Sequence, residues 1–128
     1  MKDKILLVDD DAMVLAGLKR QLRNQFNIDT ALSGEEALKQ VLENGPYAVI
    51  VSDFLMPGMN GIDFLSQVKK ASPDTVRMML TGTADMPTAI RAVNEGNIFQ
   101  FHPKPCPADT LSQAIQSAIQ KYHKLPRS

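Results

Sequence analysis

The chain has 128 residues, 44% hydrophobic and 22% charged, with 14 basic and 14 acidic side chains and so a formal net charge of zero. That composition fits one globular domain with a core of its own and excludes a disordered chain, and zero net charge argues against non-specific nucleic-acid or anionic-membrane binding. The cancellation hides an asymmetry, because residues 1–64 carry 10 acids and 6 bases while residues 65–128 carry 4 acids and 8 bases. Cys106 is the one cysteine and His102 and His123 are the only histidines, which leaves no internal disulfide and no cysteine- or histidine-rich metal site. No run approaches the ~20 apolar residues of a membrane span. The four apolar residues after Lys4 are too few for a signal-peptide core, so the expectation is a soluble cytoplasmic protein.

Ile5 to Val8 is a short apolar run and predicts a strand buried on both faces. Asp9, Asp10 and Asp11 follow it. Leu15, Leu18 and Leu22 then recur at helical spacing, with Asp11 placed to cap that helix. Phe26 to Ala31 alternates apolar and polar residues and predicts an edge strand. Ser33 and Glu36 form a capping box before Ala37, Leu38, Val41 and Leu42, and Gly45-Pro46 ends the second helix. Ala48 to Val51 is the third strand, with Asp53 just beyond it. Ile62, Leu65 and Val68 mark a third helix closed by Ser72-Pro73. Val76 to Leu80 is the fourth strand, followed by Thr81 and Gly82. Ala89, Ile90 and Val93 mark a helix ended by Gly96. Ile98 to Phe101 is the fifth strand, followed by His102-Pro103-Lys104-Pro105. Leu111, Ala114, Ile115, Ala118, Ile119 and Tyr122 give the last helix its apolar face, with Pro107 at its first turn.

Five strands alternating with five helices predict an α/β fold, a (βα)5 doubly wound five-stranded parallel sheet. Its units fill residues 4–122, so the expectation is a single domain over 1–128 with no effector domain in this chain. Ligands of such sheets bind outside the carboxyl ends of the strands. Four strand ends there bring Asp9, Asp10, Asp53, Thr81 and Lys104 to one edge. Carboxylates from neighbouring strands repel unless a cation lies between them, and a few hard oxygen donors suit Mg²⁺. A metal, an ammonium and a hydroxyl together can receive a phosphoryl group, and Asp53 is a possible carboxylate nucleophile for it.

Val8-Asp9-Asp10, Asp53-Phe54-Leu55-Met56-Pro57-Gly58-Met59-Asn60-Gly61, Leu80-Thr81-Gly82 and Lys104-Pro105, in this order and spacing, resemble the receiver domain of two-component response regulators. The resemblance implies a flavodoxin-like sheet of strand order 2-1-3-4-5. It implies a phosphoacceptor signalling domain rather than an enzyme, with Asp53 taking a phosphoryl group from a sensor histidine kinase or phosphotransfer protein. Mg²⁺, with Mn²⁺ able to substitute, would be held by Asp10, Asp53 and the Leu55 backbone carbonyl, with Asp9 acting mostly through a metal-bound water. Lys104 would pair with Asp53, and its bond to Pro105 would be cis. Thr81 and Phe101 would be the switch pair that alters the surface of the fourth helix, fifth strand and fifth helix, a face also suited to a homodimer. Leu55 and Thr83 would border the path of attacking water, and as neither is a base, self-dephosphorylation would be slow. No direct nucleic-acid or membrane contact is implied.

Two other classes share parts of this pattern. A flavin or nucleotide enzyme of similar architecture would need a glycine-rich phosphate loop, and the first loop here is acidic. An aspartyl-phosphate phosphatase of the haloacid dehalogenase kind would need D-x-D where this chain has Asp53-Phe54-Leu55. The remaining apolar and polar singletons have plainer expectations. Met78 and Met79 belong to the core, and His102 and His123 point to solvent.

Overall fold

The computed structural model describes residues 3–82, 86–95 and 98–124. Ten elements alternate along it: β1 (Lys4–Val8), α1 (Ala12–Leu22), β2 (Asn27–Ala31), α2 (Gly34–Asn44), β3 (Val49–Asp53), α3 (Gly61–Ala71), β4 (Val76–Thr81), α4 (Met86–Asn94), β5 (Gln100–Pro103) and α5 (Ala108–Lys124). The strands form one sheet in the order β2-β1-β3-β4-β5, and every pairing is parallel. The predicted α/β class and the order 2-1-3-4-5 are therefore observed.

Alternation along the strands divides the core between two faces. Ile5, Leu7, Val49, Val51, Val76 and Met78 point to one side, where Leu15 and Leu22 of α1 and Leu111, Ile115 and Ala118 of α5 cover them. Leu6, Val8, Ile50 and Met79 point to the other, against Ala37 and Val41 of α2, Phe64, Leu65 and Val68 of α3 and Ala92 of α4. Adjacent residues Met78 and Met79 are thus both core, on opposite faces. Each aliphatic side chain so buried contributes about 2 kcal/mol, which makes the sheet a rigid platform for the loops at its edge.

Local signals set the helix ends. Asp11 accepts the Met13 and Val14 amides at 3.0 and 3.3 Å and caps α1. Ser33 Oγ accepts the Glu36 amide at 3.1 Å, and Glu36 Oε2 accepts the Leu32 amide at 3.0 Å. This is the capping box displaced by one donor. Asn60 caps α3 by accepting the Asp63 amide at 2.9 Å. Gly45 is the C-cap of α2. Gly96, expected to end α4, lies outside the described residues.

The fifth strand departs from expectation by two residues. Ile98 is buried among the α4-side core side chains before the strand begins, and the Phe99 amide donates to the Arg77 carbonyl ahead of the paired segment. Regular pairing starts only at Gln100 opposite Met78 and runs to Pro103 opposite Thr81. Apolarity marked the residues that are buried rather than those that sit in the ladder. His102 is a second correction. It is half-buried, bonded through Nε2 to Gln100 Oε1 at 3.1 Å, and burial pushes its pKa down. Its register opposite Leu80 turns it toward the α5 side instead of solvent. His123 is exposed, with Nε2 2.8 Å from Asp3 Oδ2.

Candidate functional site

The sheet reverses its winding between β1 and β3, and the site lies at the carboxyl ends there. Asp9 follows β1, and its amide donates to the Ala31 carbonyl at 3.2 Å. Asp53 is the last residue of β3 and pairs with Leu80, while the Phe54 amide donates to the Leu80 carbonyl at 3.0 Å. Thr81 closes β4, and its carbonyl accepts the Lys104 amide at 2.9 Å. The ladder itself therefore fixes the backbone under Asp53, Thr81 and Lys104.

Asp9 and Asp53 are buried, Thr81 is fully buried and Asp10 is exposed. Asp9, Asp10 and Asp53 each offer a carboxylate oxygen, and these oxygens lie within 4.8 Å of one another. Lys104 Nζ is 3.0 Å from Asp53 Oδ2 and 3.7 Å from Asp9 Oδ2. The Lys104–Pro105 bond is cis, as is Gly45–Pro46, which no sequence feature announces. The Thr81 hydroxyl donates to the Gly82 carbonyl at 3.2 Å. Phe101 is half-buried against the same core side as Met79. Leu55 lies in the loop after Asp53 and is 65% exposed. The structure thus brings Asp9, Asp10, Asp53 and Lys104 together, with Thr81 at the adjoining strand end. Thr83 lies outside the described residues.

Electrostatics follow from this crowding. Burial raises the Asp9 pKa, helped by the nearby Asp53 and Asp10 charges, while the Asp11 amide donating at 2.9 Å and Lys104 oppose the rise. Burial works against the Lys104 charge, but its hydrogen bond to Asp53 and the Asp53 and Asp9 charges outweigh it and hold the ammonium above the ordinary lysine range. Three carboxylates against one ammonium leave two negative charges on a partly buried edge. All the donors are hard oxygens, with no nitrogen or sulfur among them. A divalent, oxygen-seeking cation of the Mg²⁺ type fits both the charge and the donor set.

A pH-dependent result follows for the metal-free protein. The raised folded-state pKa of Asp9 means that wild-type stability falls as pH rises from the ordinary carboxylate value through the raised one. Asn at this position keeps an acceptor for the Asp11 amide without the charge. Metal-free Asp9→Asn is therefore expected to be more stable than wild type by about 1 kcal/mol at neutral pH. Urea melts should show that gain shrinking toward about pH 3, where the acid is protonated anyway; a gain independent of pH contradicts the electrostatic cause.

The stretch from the end of β3 to the start of α3, residues 52–61, holds residues that spacing alone does not single out. Ser52 Oγ donates to the Asp53 carbonyl at 2.9 Å. The Gly61 amide donates to the Phe54 carbonyl at 2.8 Å, and a Cβ on Gly61 would meet the Asp53 carbonyl oxygen at 2.5 Å. Only glycine lets α3 start so close to the end of β3. Gly58 has φ 81°, in the left-handed region. The P-G-M-N-G run was the available signal for a tight turn, but not for what the turn packs against.

Comparison with known proteins gives a consistent result. The family model for the response regulator receiver domain matches residues 5–116. The hydrogenase transcriptional regulatory protein HoxA of Cupriavidus necator is 35% identical over 123 residues, which cover 94% of this chain and 25% of that protein. The transcriptional regulatory protein GlrR of Escherichia coli is 34% identical over 118 residues, covering 91% of this chain and 26% of GlrR. This chain thus spans about a quarter of the length of these curated relatives. Among solved structures, a response regulator receiver domain protein from Clostridium thermocellum aligns with TM-score 0.88 at 36% identity, covering 94% of this chain and 97% of that one. A chain described as adenylate cyclase from Rhodopirellula baltica aligns with TM-score 0.93 at 43% identity, covering 95% and 90%.

Proposed function

Because the chain belongs to the response regulator receiver domain family, we propose that Asp53 is its phosphoacceptor and that Asp9, Asp10, Thr81 and Lys104 serve that one reaction. At the level of the family the domain is a phosphoacceptor of two-component signalling, a signalling unit rather than a catalytic enzyme. The single observation that carries the assignment is the buried Asp53 carboxylate 3.0 Å from Lys104 Nζ, inside a cluster of three carboxylates.

The phosphodonor is a phosphohistidine of a sensor kinase or phosphotransfer protein. An Asp53 oxygen attacks phosphorus in line, the O–P bond forms as the P–N bond breaks, and the electron pair leaves with the imidazole. Lys104, whose ammonium lies 3.0 Å from Asp53 Oδ2 and whose amide donates to the Thr81 carbonyl, neutralises charge on the phosphoryl oxygens. Mg²⁺, for which Mn²⁺ could substitute, would supply the positive charge that shields the incoming phosphoryl oxygens from the carboxylates. Asp10, Asp53 and the Leu55 carbonyl would hold it directly, and Asp9 through water. Leu55 supplies no base, which keeps hydrolysis of the acyl phosphate slow.

The added charge then draws the Thr81 hydroxyl from the Gly82 carbonyl toward the phosphoryl group, and Phe101 turns into the space Thr81 leaves. The half-buried setting of Phe101 beside β4 supports this reading. The outcome is a changed α4–β5–α5 surface, on which exposed Ile90 favours protein contact, a homodimer included, over nucleic acid. We assign residues 1–128 to one receiver unit acting in the cytoplasm. Among the described residues no helix is long and apolar enough to cross a membrane.

The test is labelling with acetyl phosphate. With Mg²⁺ the chain should gain one acid-stable, base-labile phosphoryl group by intact mass, and chelation of the metal should prevent it. Labelling that survives chelation contradicts the role given to the carboxylate cluster.

A further inference from the structure

The loop that would present the Leu55 carbonyl is fixed at two places beyond Asp53. Met56 is buried in the α2/α3-side core. Met59 lies over the first turn of α2, where a Cβ on Gly34 would stand 3.0 Å from Met59 Sδ and 3.3 Å from Met59 Cβ. The next pair along repeats the contact, since a Cβ on Gly58 would stand 3.2 Å from Glu35 Oε1. Met59 Sδ also accepts from Gln67 Nε2 of α3 at 3.6 Å. The first turn of α2 is itself held by the Glu36 amide donating to Ser33 Oγ and the Leu32 amide donating to Glu36 Oε2. Consecutive residues of a rigid helix start therefore bear on consecutive residues of the loop, between the buried anchors Met56 and Gly61.

We infer that the contact of Gly34 with Met59 is a latch that positions the β3–α3 loop for metal binding. Gly34 and Met59 are positioning residues here: neither offers a ligand, and both act through the backbone between Asp53 and Met59. The absence of a side chain at Gly34 lets Met59 close onto α2, and that closure keeps the Leu55 backbone at the distance the carboxylates require. Groups that orient metal ligands without touching the ion characteristically change its affinity when removed. This inference rests on the proposed Mg²⁺ site.

Calorimetric titration of the full chain with Mg²⁺ tests it, each variant first checked for folding by a metal-free thermal melt. Gly34→Leu displaces Met59 and Met59→Ala removes the cover; each should weaken Mg²⁺ binding roughly tenfold. The double variant Gly34→Leu/Met59→Ala, in which the new side chain occupies the vacated space, should return to within about threefold of wild type. A general loss of stability would not produce that recovery of affinity. Should Gly34→Leu not fold, Gly34→Ala should weaken binding about threefold, because its methyl group meets a flexible side chain. Folded single variants that bind Mg²⁺ within about twofold of wild type overturn the latch. Asp10→Asn separates the two readings. If it weakens binding while the Gly34 and Met59 variants do not, the latch alone fails; if it too leaves binding unchanged, the metal site itself fails.

Discussion

Asp53→Asn should abolish the phosphoryl label that acetyl phosphate and Mg²⁺ are expected to leave on the wild-type chain. The amide has the shape of the carboxylate but no anionic oxygen, so the proposed nucleophile is removed while the packing around it stays. The expected loss is at least about a thousandfold in labelling rate. Folding should survive, because Asp53 sits in a cluster with more negative than positive charge and its removal lowers that excess. Intact-mass time courses of the two proteins decide the matter, and equal labelling sinks the assignment of Asp53.

Lys104→Met has the second-largest effect, and it separates two roles of one side chain. The methionine keeps the unbranched stem and removes the charge 3.0 Å from Asp53. Loss of one preorganised donor to the transferring group should slow labelling about a hundredfold. Stability should fall as well, since the carboxylates lose their cation. The side chain is 37% exposed, so solvent screening limits that cost to about 1 kcal/mol. Its sign with pH is fixed. The Lys104 pKa is raised in the folded state, so the ammonium stabilises the fold below the ordinary lysine value, and the contribution is lost as pH rises through the raised one. Denaturation midpoints of wild type and Lys104→Met should accordingly converge in alkali. Lys104→Arg should recover stability near neutral pH but not the labelling rate, because a planar fork does not place its charge where an ammonium does. Recovery of both would reduce Lys104 to a counter-charge.

The sheet and its order were legible because buried parallel strands have few ways to look. Ile5–Val8 and Ala48–Val51 are unbroken apolar runs, and the acids and lysine that end the strands stand out against them. Asp11, Ser33 and Glu36 were equally plain, since capping chemistry is local. What escaped is what depends on contacts between distant elements. The displacement of the fifth strand arose because Ile98 is buried without being paired, and a hydrophobic pattern cannot tell these apart. His102 turns from solvent because an edge strand beside α5 buries one of its faces. Gly34 falls inside the Ser33–Glu36 capping pattern, and only the packing of Met59 across it accounts for the missing side chain. The candidate site was legible as a set of residues; its distances, and the loop that shapes it, were not.

The chemistry proposed for this site is formation of a phosphoryl group on the carboxylate of Asp53. Reductive trapping tests it at the level of the residue, since borohydride converts an aspartyl phosphate to homoserine and leaves free carboxylates untouched. The chain is treated with acetyl phosphate and Mg²⁺, reduced, digested and sequenced by tandem mass spectrometry. Homoserine at position 53 alone, absent when Mg²⁺ is chelated, is the predicted result. Homoserine at position 9 or 10, or none anywhere in a chain shown by intact mass to carry phosphate, contradicts it.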